Sequence, residues 1–241
     1  PFWYNSDMQR RHFVGAVLAG LGTPRPARPR SGDIPKRSLG RTGEKLTIVG
    51  QGGARFHLIP FDEGKAVVRR AYDLGVNYFD MARSYFDGHA EEVYGAVIPG
   101  FRKEIFLTTK SGQRTREGAE ADLEKSLRTM KTDYVDLWQM HGVNKMADVE
   151  RIFAPGGAME AFESARKAGK CRFIGYTNCR DPEVHVAMLR HAERFDTALM
   201  PLHAADTSFS DSPKMSFEQT ALPAARERGV GIFAIKVFGN A

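Results

Sequence analysis

The feature that most constrains the fold is a regular alternation, after residue 40, between short apolar runs and helical stretches. The apolar runs predict seven strands: Leu46–Gly50, Asn77–Asp80, Ile105–Lys110, Val135–His141, Arg172–Thr177, Ala198–Leu202 and Gly231–Lys236. The stretches between them predict helices at Glu63–Leu74, Ala90–Ile98, Glu117–Met130, Ala158–Ala168, Pro182–Arg194 and Glu218–Arg228. Continuous apolar strands alternating with helices are typical of an α/β fold in which helices cover a parallel sheet.

The number of repeats favours a (β/α)8 TIM barrel over a doubly wound sheet, which more often ends after about five or six strands. The turn Gly50–Gly53 also lacks the third glycine of a dinucleotide-binding fingerprint, which argues weakly against a Rossmann domain. Residues 34–241 are therefore predicted to form one barrel domain, readable through strand seven. No eighth strand follows before Ala241, so the C-terminal part is expected to be missing.

The first 33 residues have a different composition. Residues 1–40 contain seven Lys and Arg against two Asp, which gives +5 of the total net charge of +6. The stretch from Arg10 to Val14, Arg-Arg-His-Phe-Val, precedes a short apolar run and resembles a twin-arginine export signal. The alternative is a disordered basic arm, because the Pro/Arg-rich stretch 23–30 cannot pack. An export signal would make the protein periplasmic or exported, whereas an arm leaves it cytoplasmic.

Composition excludes several classes of function. The remaining 201 residues carry a net charge of only +1, so no basic stripe on the folded body predicts nucleic-acid binding. No apolar run reaches the roughly 18 residues that a membrane span requires. Cys171 and Cys179 lack metal-ligand spacing, and no pair of His or acidic ligands follows one strand, which disfavours a metal hydrolase. The oligomeric state stays open.

Titratable residues of different kinds follow three neighbouring predicted strands. Asp80 ends strand two, Lys110 ends strand three and His141 ends strand four, while Tyr85 lies in the loop after Asp80. The C-terminal strand ends of such a barrel converge on one face, where chemistry is found. The Lys110 ammonium favours the phenolate of Tyr85 and so makes the phenol a better proton donor, while the Asp80 carboxylate compensates the charge of the lysine. His141 can hydrogen-bond the acceptor oxygen to which Tyr85 would give its proton.

Each of these residues also has an ordinary structural interpretation. An Asp after a strand is usually a helix cap, a Lys at a strand end is usually solvated, and single Tyr and His residues usually pack. Their joint placement on strands two, three and four favours chemistry over four separate structural roles.

The chain resembles the aldo-keto reductase family, whose Asp, Tyr, Lys and His pattern is matched by the four residues Asp80, Tyr85, Lys110 and His141. The resemblance runs from residue 37 to the C-terminus, and its first piece, Arg37–Gly43, is similar to the family's N-terminal β-hairpin. Further matching pieces are Gly100–Lys110, Ser126–Leu137 and Gly169–Asn178. The segments around Ile152 and Asp181 are most similar to a bacterial branch that often carries twin-arginine leaders.

The resemblance implies NADPH-dependent reduction of small-molecule aldehydes or ketones, with NADH as a further possible cofactor. Tyr85 would protonate the carbonyl oxygen, with His141 as a second donor. It assigns cofactor contacts to Gly53, Thr177, Asn178, Phe238 and Gly239.

Two positions depart from the family pattern. Leu199 stands where the family has a glutamine, and His203 stands where it has an asparagine. The loss of one carboxamide hydrogen bond would cost roughly 0.5–1.5 kcal/mol. The alternative function is a nucleotide-binding sensor or regulatory subunit on the same fold, with little turnover. Binding of NADPH accompanied by turnover would separate the two.

Overall fold

The computed structural model describes residues 34–203 and 216–238. The strands in this part of the chain are β1 (Lys36–Ser38), β2 (Lys45–Thr47), β3 (Gln51–Gly52), β4 (Tyr78–Asp80), β5 (Phe106–Ser111), β6 (Val135–Met140), β7 (Cys171–Thr177), β8 (Thr197–Pro201) and β9 (Gly231–Ile235). The α-helices are α1 (Phe61–Asp73), α2 (His89–Gly95), α3 (Arg116–Met130), α4 (Met146–Phe153), α5 (Ala158–Lys167), α6 (Pro182–Leu189) and α7 (Leu222–Glu227). The predicted leader or arm, residues 1–33, lies outside the described residues.

Strands β3 to β9 form one sheet in chain order, and every neighbouring pair is parallel. Helices lie between successive strands, so the predicted (β/α)8-type architecture, readable through seven strands, is confirmed. Parallel neighbours joined by crossover helices place all seven C-terminal strand ends along one edge.

The predicted first strand, Leu46–Gly50, is wrong. Lys45–Thr47 instead pairs antiparallel with Lys36–Ser38, and the first strand of the parallel sheet is the two-residue Gln51–Gly52. A short run with a buried Leu46 suits a half-buried hairpin as well as a barrel strand, so the local pattern does not separate them. Helix α4 was also missed, since its eight residues follow β6 with no strong start signal.

The two faces of the sheet contribute to two apolar clusters. Phe79 and Leu107 belong to the larger cluster, in which the sheet packs against the helices. Their neighbours Tyr78 and Phe106 belong to the second cluster, on the opposite, inner face. The remaining members of this inner cluster are Leu39, Leu46, Leu137, Leu199 and Phe233.

The β1–β2 hairpin covers the N-terminal ends of the strands. Its turn residue Arg41 donates to the carbonyl oxygens of Ala192, Phe195 and Arg228, at distances of 2.5 to 3.0 Å. These carbonyls lie just before β8 and β9. The predicted N-terminal β-hairpin is therefore confirmed. It lies at the N-terminal ends of the strands, which form the floor of the barrel, and the opposite end of the strands is the one available for a site.

Among the described residues, we find no helix with both the length and the apolar character that crossing a bilayer demands.

Candidate active site

Asp80 and Lys110 form an ion pair at the C-terminal ends of β4 and β5. The Lys110 Nζ donates to Asp80 Oδ2 at 2.6 Å and to the Met81 carbonyl oxygen at 2.6 Å. The second carboxylate oxygen, Asp80 Oδ1, accepts from the buried Tyr78 hydroxyl at 3.2 Å. Burial opposes the charge of Lys110, but Asp80 and Tyr85 outweigh it and raise its pKa. The lysine is therefore an ammonium ion held beneath the surface of the site.

Tyr85 lies over this ion pair. The Lys110 Nζ is 5.2 Å from the centroid of the Tyr85 ring, and the ring is half-buried against the main apolar cluster. Burial raises the pKa of the Tyr85 phenol, and the charge of Lys110 acts in the opposite direction without overcoming it. The sequence-based expectation was right about the direction of the lysine effect, but it omitted the burial that dominates. Tyr85 is thus a protonated phenol at neutral pH.

His141 completes the group from the end of β6. Its ring lies edge-on to Tyr85, with ring centroids 5.5 Å apart, and its Nδ1 is 3.0 Å from Ser84 Oγ. Burial, followed by the charges of Lys110 and Arg114, lowers the pKa of His141 to about 3. The imidazole is therefore neutral at physiological pH, and it can act as a hydrogen-bond donor without carrying a charge.

The structure thus brings together the four side chains that the sequence singled out. Parallel strands place Asp80, Lys110 and His141 side by side, and the register aligns Lys110 with Gln139, two residues before His141. A half-buried phenol, a buried ammonium ion and a neutral imidazole form a surface that can donate protons and hydrogen bonds to an oxygen atom.

The loop that carries Tyr85 is held by contacts that sequence reasoning missed. The buried Arg83 pairs with the fully buried Glu91 at 2.5 Å and donates to the Asp87 carbonyl oxygen at 2.5 Å. Three successive residues after Tyr85 have positive φ: Phe86 (50°), Asp87 (53°) and Gly88 (95°). A Cβ at Gly88 would lie 1.2 Å from an Arg83 nitrogen, so glycine is required there. The sequence gives no local sign of the ion pair between Arg83 and Glu91, because two opposite charges eight residues apart do not have the spacing of neighbouring side chains on a helix or strand.

Of the cofactor residues suggested by the resemblance, Thr177 and Gly53 lie beside the site. Thr177 ends β7, and its Oγ1 accepts from the amide of Gly142, the residue after His141, at 2.8 Å. The Gly53 amide donates to the Asp80 carbonyl oxygen at 2.8 Å. Both residues therefore border the strand ends that carry Asp80 and His141.

Asn178 has a different environment. Its Nδ2 donates to the Asp181 carbonyl oxygen at 2.6 Å, and its Oδ1 accepts from the backbone amides of Arg180 and Asp181 at 2.8 and 3.2 Å. Both ends of the side-chain amide are used to shape the turn into α6, and the residue is fully buried. In this structure its side chain serves its own loop.

Phe238, after β9, is completely exposed, whereas Gly239 lies outside the described residues. Among residues 34–203 and 216–238, no group of three or more His, Cys, Asp or Glu side chains is placed to hold a metal ion.

The model of the aldo/keto reductase family matches residues 49–241. The chain belongs to this family. Among curated relatives, an uncharacterized oxidoreductase, YqkF, of Bacillus subtilis is 32% identical over 159 residues, which cover 60% of this chain and 49% of the relative. L-galactose dehydrogenase of Arabidopsis thaliana is 31% identical over 158 residues, with coverage of 60% and 48%. The chain thus spans about half the length of these relatives.

Solved structures support the same fold. A putative aldo-keto reductase from Pseudomonas aeruginosa superposes with a TM-score of 0.73 at 21% identity, covering 89% of this chain and 82% of the other. An aldo/keto reductase from Klebsiella pneumoniae, in complex with NADP and acetate, gives a TM-score of 0.69 at 25% identity, with coverage of 84% and 68%.

Leu199, for which the resemblance implies a glutamine, lies inside the sheet of this aldo/keto reductase chain. Leu199 is 4% exposed and belongs to the inner apolar cluster with Tyr78 and Phe233. Its side chain can neither donate nor accept a hydrogen bond, and it packs among apolar side chains.

Proposed function

We propose that this protein is an NADPH-dependent oxidoreductase that reduces aldehydes or ketones to alcohols, with Tyr85 as general acid. The observation that carries the proposal is the stack of Tyr85 on the Lys110 ammonium, which is itself paired to Asp80 at 2.6 Å. Reduction of a carbonyl group leaves negative charge on its oxygen, and a positioned proton donor stabilises that charge as it develops.

Each of the four residues has a separate task in this proposal. The Tyr85 hydroxyl gives its proton to the carbonyl oxygen, and the Lys110 ammonium stabilises the phenolate that remains. Asp80 compensates the lysine charge, which would be costly to bury alone: the Lys110 side chain is 1% exposed. The neutral imidazole of His141 donates a second hydrogen bond to the same oxygen, which helps to orient the carbonyl.

The residues present fit a nicotinamide cofactor in part. The hydroxyl of Thr177 accepts from Gly142 and can still donate its own proton at the edge of the site. The fully exposed ring of Phe238 offers a face for stacking after β9. These residues, together with the Gly53 backbone, would hold the cofactor. The side-chain amide of Asn178 could contact the cofactor only after it had broken its hydrogen bonds to Arg180 and Asp181. When bound, NADPH would supply the hydride for the carbonyl carbon.

Names of similar proteins support this choice of cofactor and substrate class. The Klebsiella pneumoniae structure contains NADP, and one relative from Schizosaccharomyces pombe is named for NADP(+). Other relatives are an L-glyceraldehyde 3-phosphate reductase and a methylglyoxal reductase, both of Escherichia coli. These names favour a small carbonyl substrate, and they favour NADPH over NADH as the first cofactor to test.

A nucleotide-binding sensor with little turnover is the second candidate. Leu199 favours it, because this apolar side chain offers no hydrogen bond where the family pattern has a glutamine. The engaged amide of Asn178 points in the same direction, since it leaves fewer donors for a cofactor.

The deciding experiment measures NADPH binding by fluorescence and then the oxidation of NADPH with a panel of small aldehydes and ketones. The proposal expects both binding and turnover, with turnover lost in Tyr85→Phe. Binding without turnover on the whole panel would favour the sensor. Repeating both measurements with NADH gives the cofactor preference.

The first 33 residues carry a separate proposal, that they form a twin-arginine export signal. The motive is the Arg10-Arg11 pair followed by a short apolar run. Fusion of these residues to a reporter should direct it to the periplasm, and Arg10→Lys with Arg11→Lys should abolish export. Retention of the reporter in the cytoplasm would leave the basic-arm interpretation.

A further inference from the structure

Ser84 is the residue directly before Tyr85, and its hydroxyl reaches the second aromatic side chain of the site. Ser84 Oγ lies 3.0 Å from His141 Nδ1, although the two residues are 57 positions apart in the chain. The contact joins the loop after β4 to the end of β6. Neither the mechanism proposed for the four central residues nor the family resemblance assigns a role to this serine.

The contact is held by the backbone on both sides. The amide of Arg83 donates to the Lys110 carbonyl oxygen at 3.1 Å, and the amide of Tyr85 donates to the Ala82 carbonyl oxygen at 3.1 Å. The His141 amide donates to the Ser111 carbonyl oxygen at 2.8 Å. Arg114 Nη2 donates to the carbonyl oxygen of His141 at 2.9 Å. The backbone segments that contain Ser84 and His141 are therefore each hydrogen-bonded to β5 or to the loop after it.

A neutral imidazole has one N–H and one lone pair, and the partner of one nitrogen decides which atom carries the proton. If the Ser84 hydroxyl donates to Nδ1, the proton lies on Nε2, and Nε2 can donate to another group. If Nδ1 donates to Ser84, Nε2 can only accept. A carbonyl oxygen is itself only an acceptor, so the first arrangement alone lets His141 bind it.

We propose that Ser84 is a positioning residue, which donates its hydroxyl proton to His141 Nδ1 and thereby keeps the imidazole proton on Nε2. The choice of this tautomer rests on the proposed carbonyl reduction, whereas the contact between Ser84 and His141 does not. Ser84 thereby determines that His141 Nε2 carries the N–H that donates to the substrate oxygen. It acts through His141 and does not contact the substrate.

The direct test is NMR of the full chain labelled with ¹⁵N-histidine, which distinguishes a protonated ring nitrogen from an unprotonated one. His141→Gln identifies the His141 signals. In the wild-type protein, Nδ1 should have the shift of an unprotonated nitrogen and Nε2 that of a protonated one. Ser84→Ala should move both signals toward averaged values, whereas Ser84→Thr, which keeps a hydroxyl at this exposed position, should restore them.

Kinetics provide the second readout. Loss of one neutral hydrogen bond in Ser84→Ala should lower kcat roughly three- to tenfold and leave NADPH affinity unchanged. Ser84→Thr should recover most of the rate, and Ser164→Ala on α5 serves as the matched control, with unchanged rate and spectrum. A protonated Nδ1 in the wild type, or an unchanged spectrum in Ser84→Ala, overturns the proposal.

The two proposals fail in different ways. If the His141 spectra behave as expected but no carbonyl compound is reduced, the tautomer assignment stands and the reductase function fails. If carbonyl compounds are reduced while Ser84→Ala leaves the spectrum unchanged, the function stands and Ser84 has no positioning role.

Discussion

Asp136 and Asp80 are carboxylates paired with cations at opposite ends of the parallel strands. Asp136, near the start of β6, accepts from Arg172 Nη1 at 2.7 Å, Arg102 Nη1 at 2.9 Å and the Leu107 amide at 2.9 Å. Asp80, at the end of β4, accepts from Lys110 at 2.6 Å and from the Tyr78 hydroxyl at 3.2 Å. Both ends of the sheet therefore contain a compensated negative charge.

The two ion pairs differ in the other partners of their cations, Arg102 and Lys110. Besides Asp136, Arg102 donates to Thr132, to the Ile105 carbonyl oxygen and to the Tyr134 carbonyl oxygen. Lys110 has three N–H donors; it gives two to Asp80 and the Met81 carbonyl oxygen, and its ammonium faces the half-buried Tyr85. The pair at the floor stabilises the fold, whereas the Lys110 ammonium at the C-terminal end faces Tyr85 and can respond to a change of charge on that side chain.

The largest effect is expected for Tyr85→Phe. Proton donation by a positioned side chain contributes about 10²–10⁴-fold, and phenylalanine cannot supply it. Turnover should fall by that factor while NADPH affinity and unfolding free energy change little. Steady-state kinetics, cofactor titration and denaturant unfolding check the three quantities, with Tyr134→Phe near the floor as the matched control. Near-normal turnover would mean that the phenol only packs.

Asp136→Asn should lower stability and leave turnover unchanged, the opposite of Tyr85→Phe. Breaking a buried ion pair by removing one charge costs about 3–5 kcal/mol, since Arg102 is left uncompensated beneath the surface. The free energy of unfolding should fall by about that amount, with kcat of the folded protein unchanged. Denaturant unfolding provides the measurement, and Asp133→Asn, at an exposed aspartate three residues earlier, is the control. A selective loss of kcat would show that the two ends are not independent.

Lys110→Met should lower both the free energy of unfolding and turnover, which tests the comparison of the two ion pairs more closely. The apolar side chain leaves Asp80 with only the Tyr78 hydroxyl, so the free energy of unfolding should fall by roughly 1–3 kcal/mol. The phenolate of Tyr85 also loses its stabilising charge, so turnover should fall in parallel. Arg102→Met is the matched change at the floor, and it should lower stability without a direct effect on the chemical step.

The smallest effect concerns pH. Because burial lowers the pKa of His141 to about 3, the unfolded chain binds a proton below about pH 6.5 while the folded protein does not. Stability is therefore complete above pH 6.5 and falls as the pH falls toward about 3. The decrease in unfolding free energy from pH 7 to pH 5 should be smaller in His141→Gln. His185→Gln should behave similarly, since burial lowers the pKa of His185 to about 4. An unchanged decrease in both variants would contradict this account.

Much of the fold was predictable from local pattern. The apolar runs at β4 to β9 have clear polar or glycine boundaries, and their ends fixed the neighbourhood of Asp80, Lys110 and His141. The first strand was misassigned because Lys45–Thr47 and Gln51–Gly52 are both too short for periodicity to separate a hairpin strand from a barrel strand. Pairing partners decided between them, and these are distant in the chain.

The candidate site divides in the same way. The sequence by itself determined which residue types follow which strands, because the side-chain period along a strand is local and consecutive strands joined by crossover helices are usually neighbours in the sheet. Only the tertiary structure decided that burial outweighs Lys110 in raising the pKa of Tyr85 and that the Asn178 amide is used by its own loop. It also decided that Ser84 meets His141. Desolvation and hydrogen-bond partners depend on what surrounds a group from every direction, and residues far apart in the chain supply those surroundings.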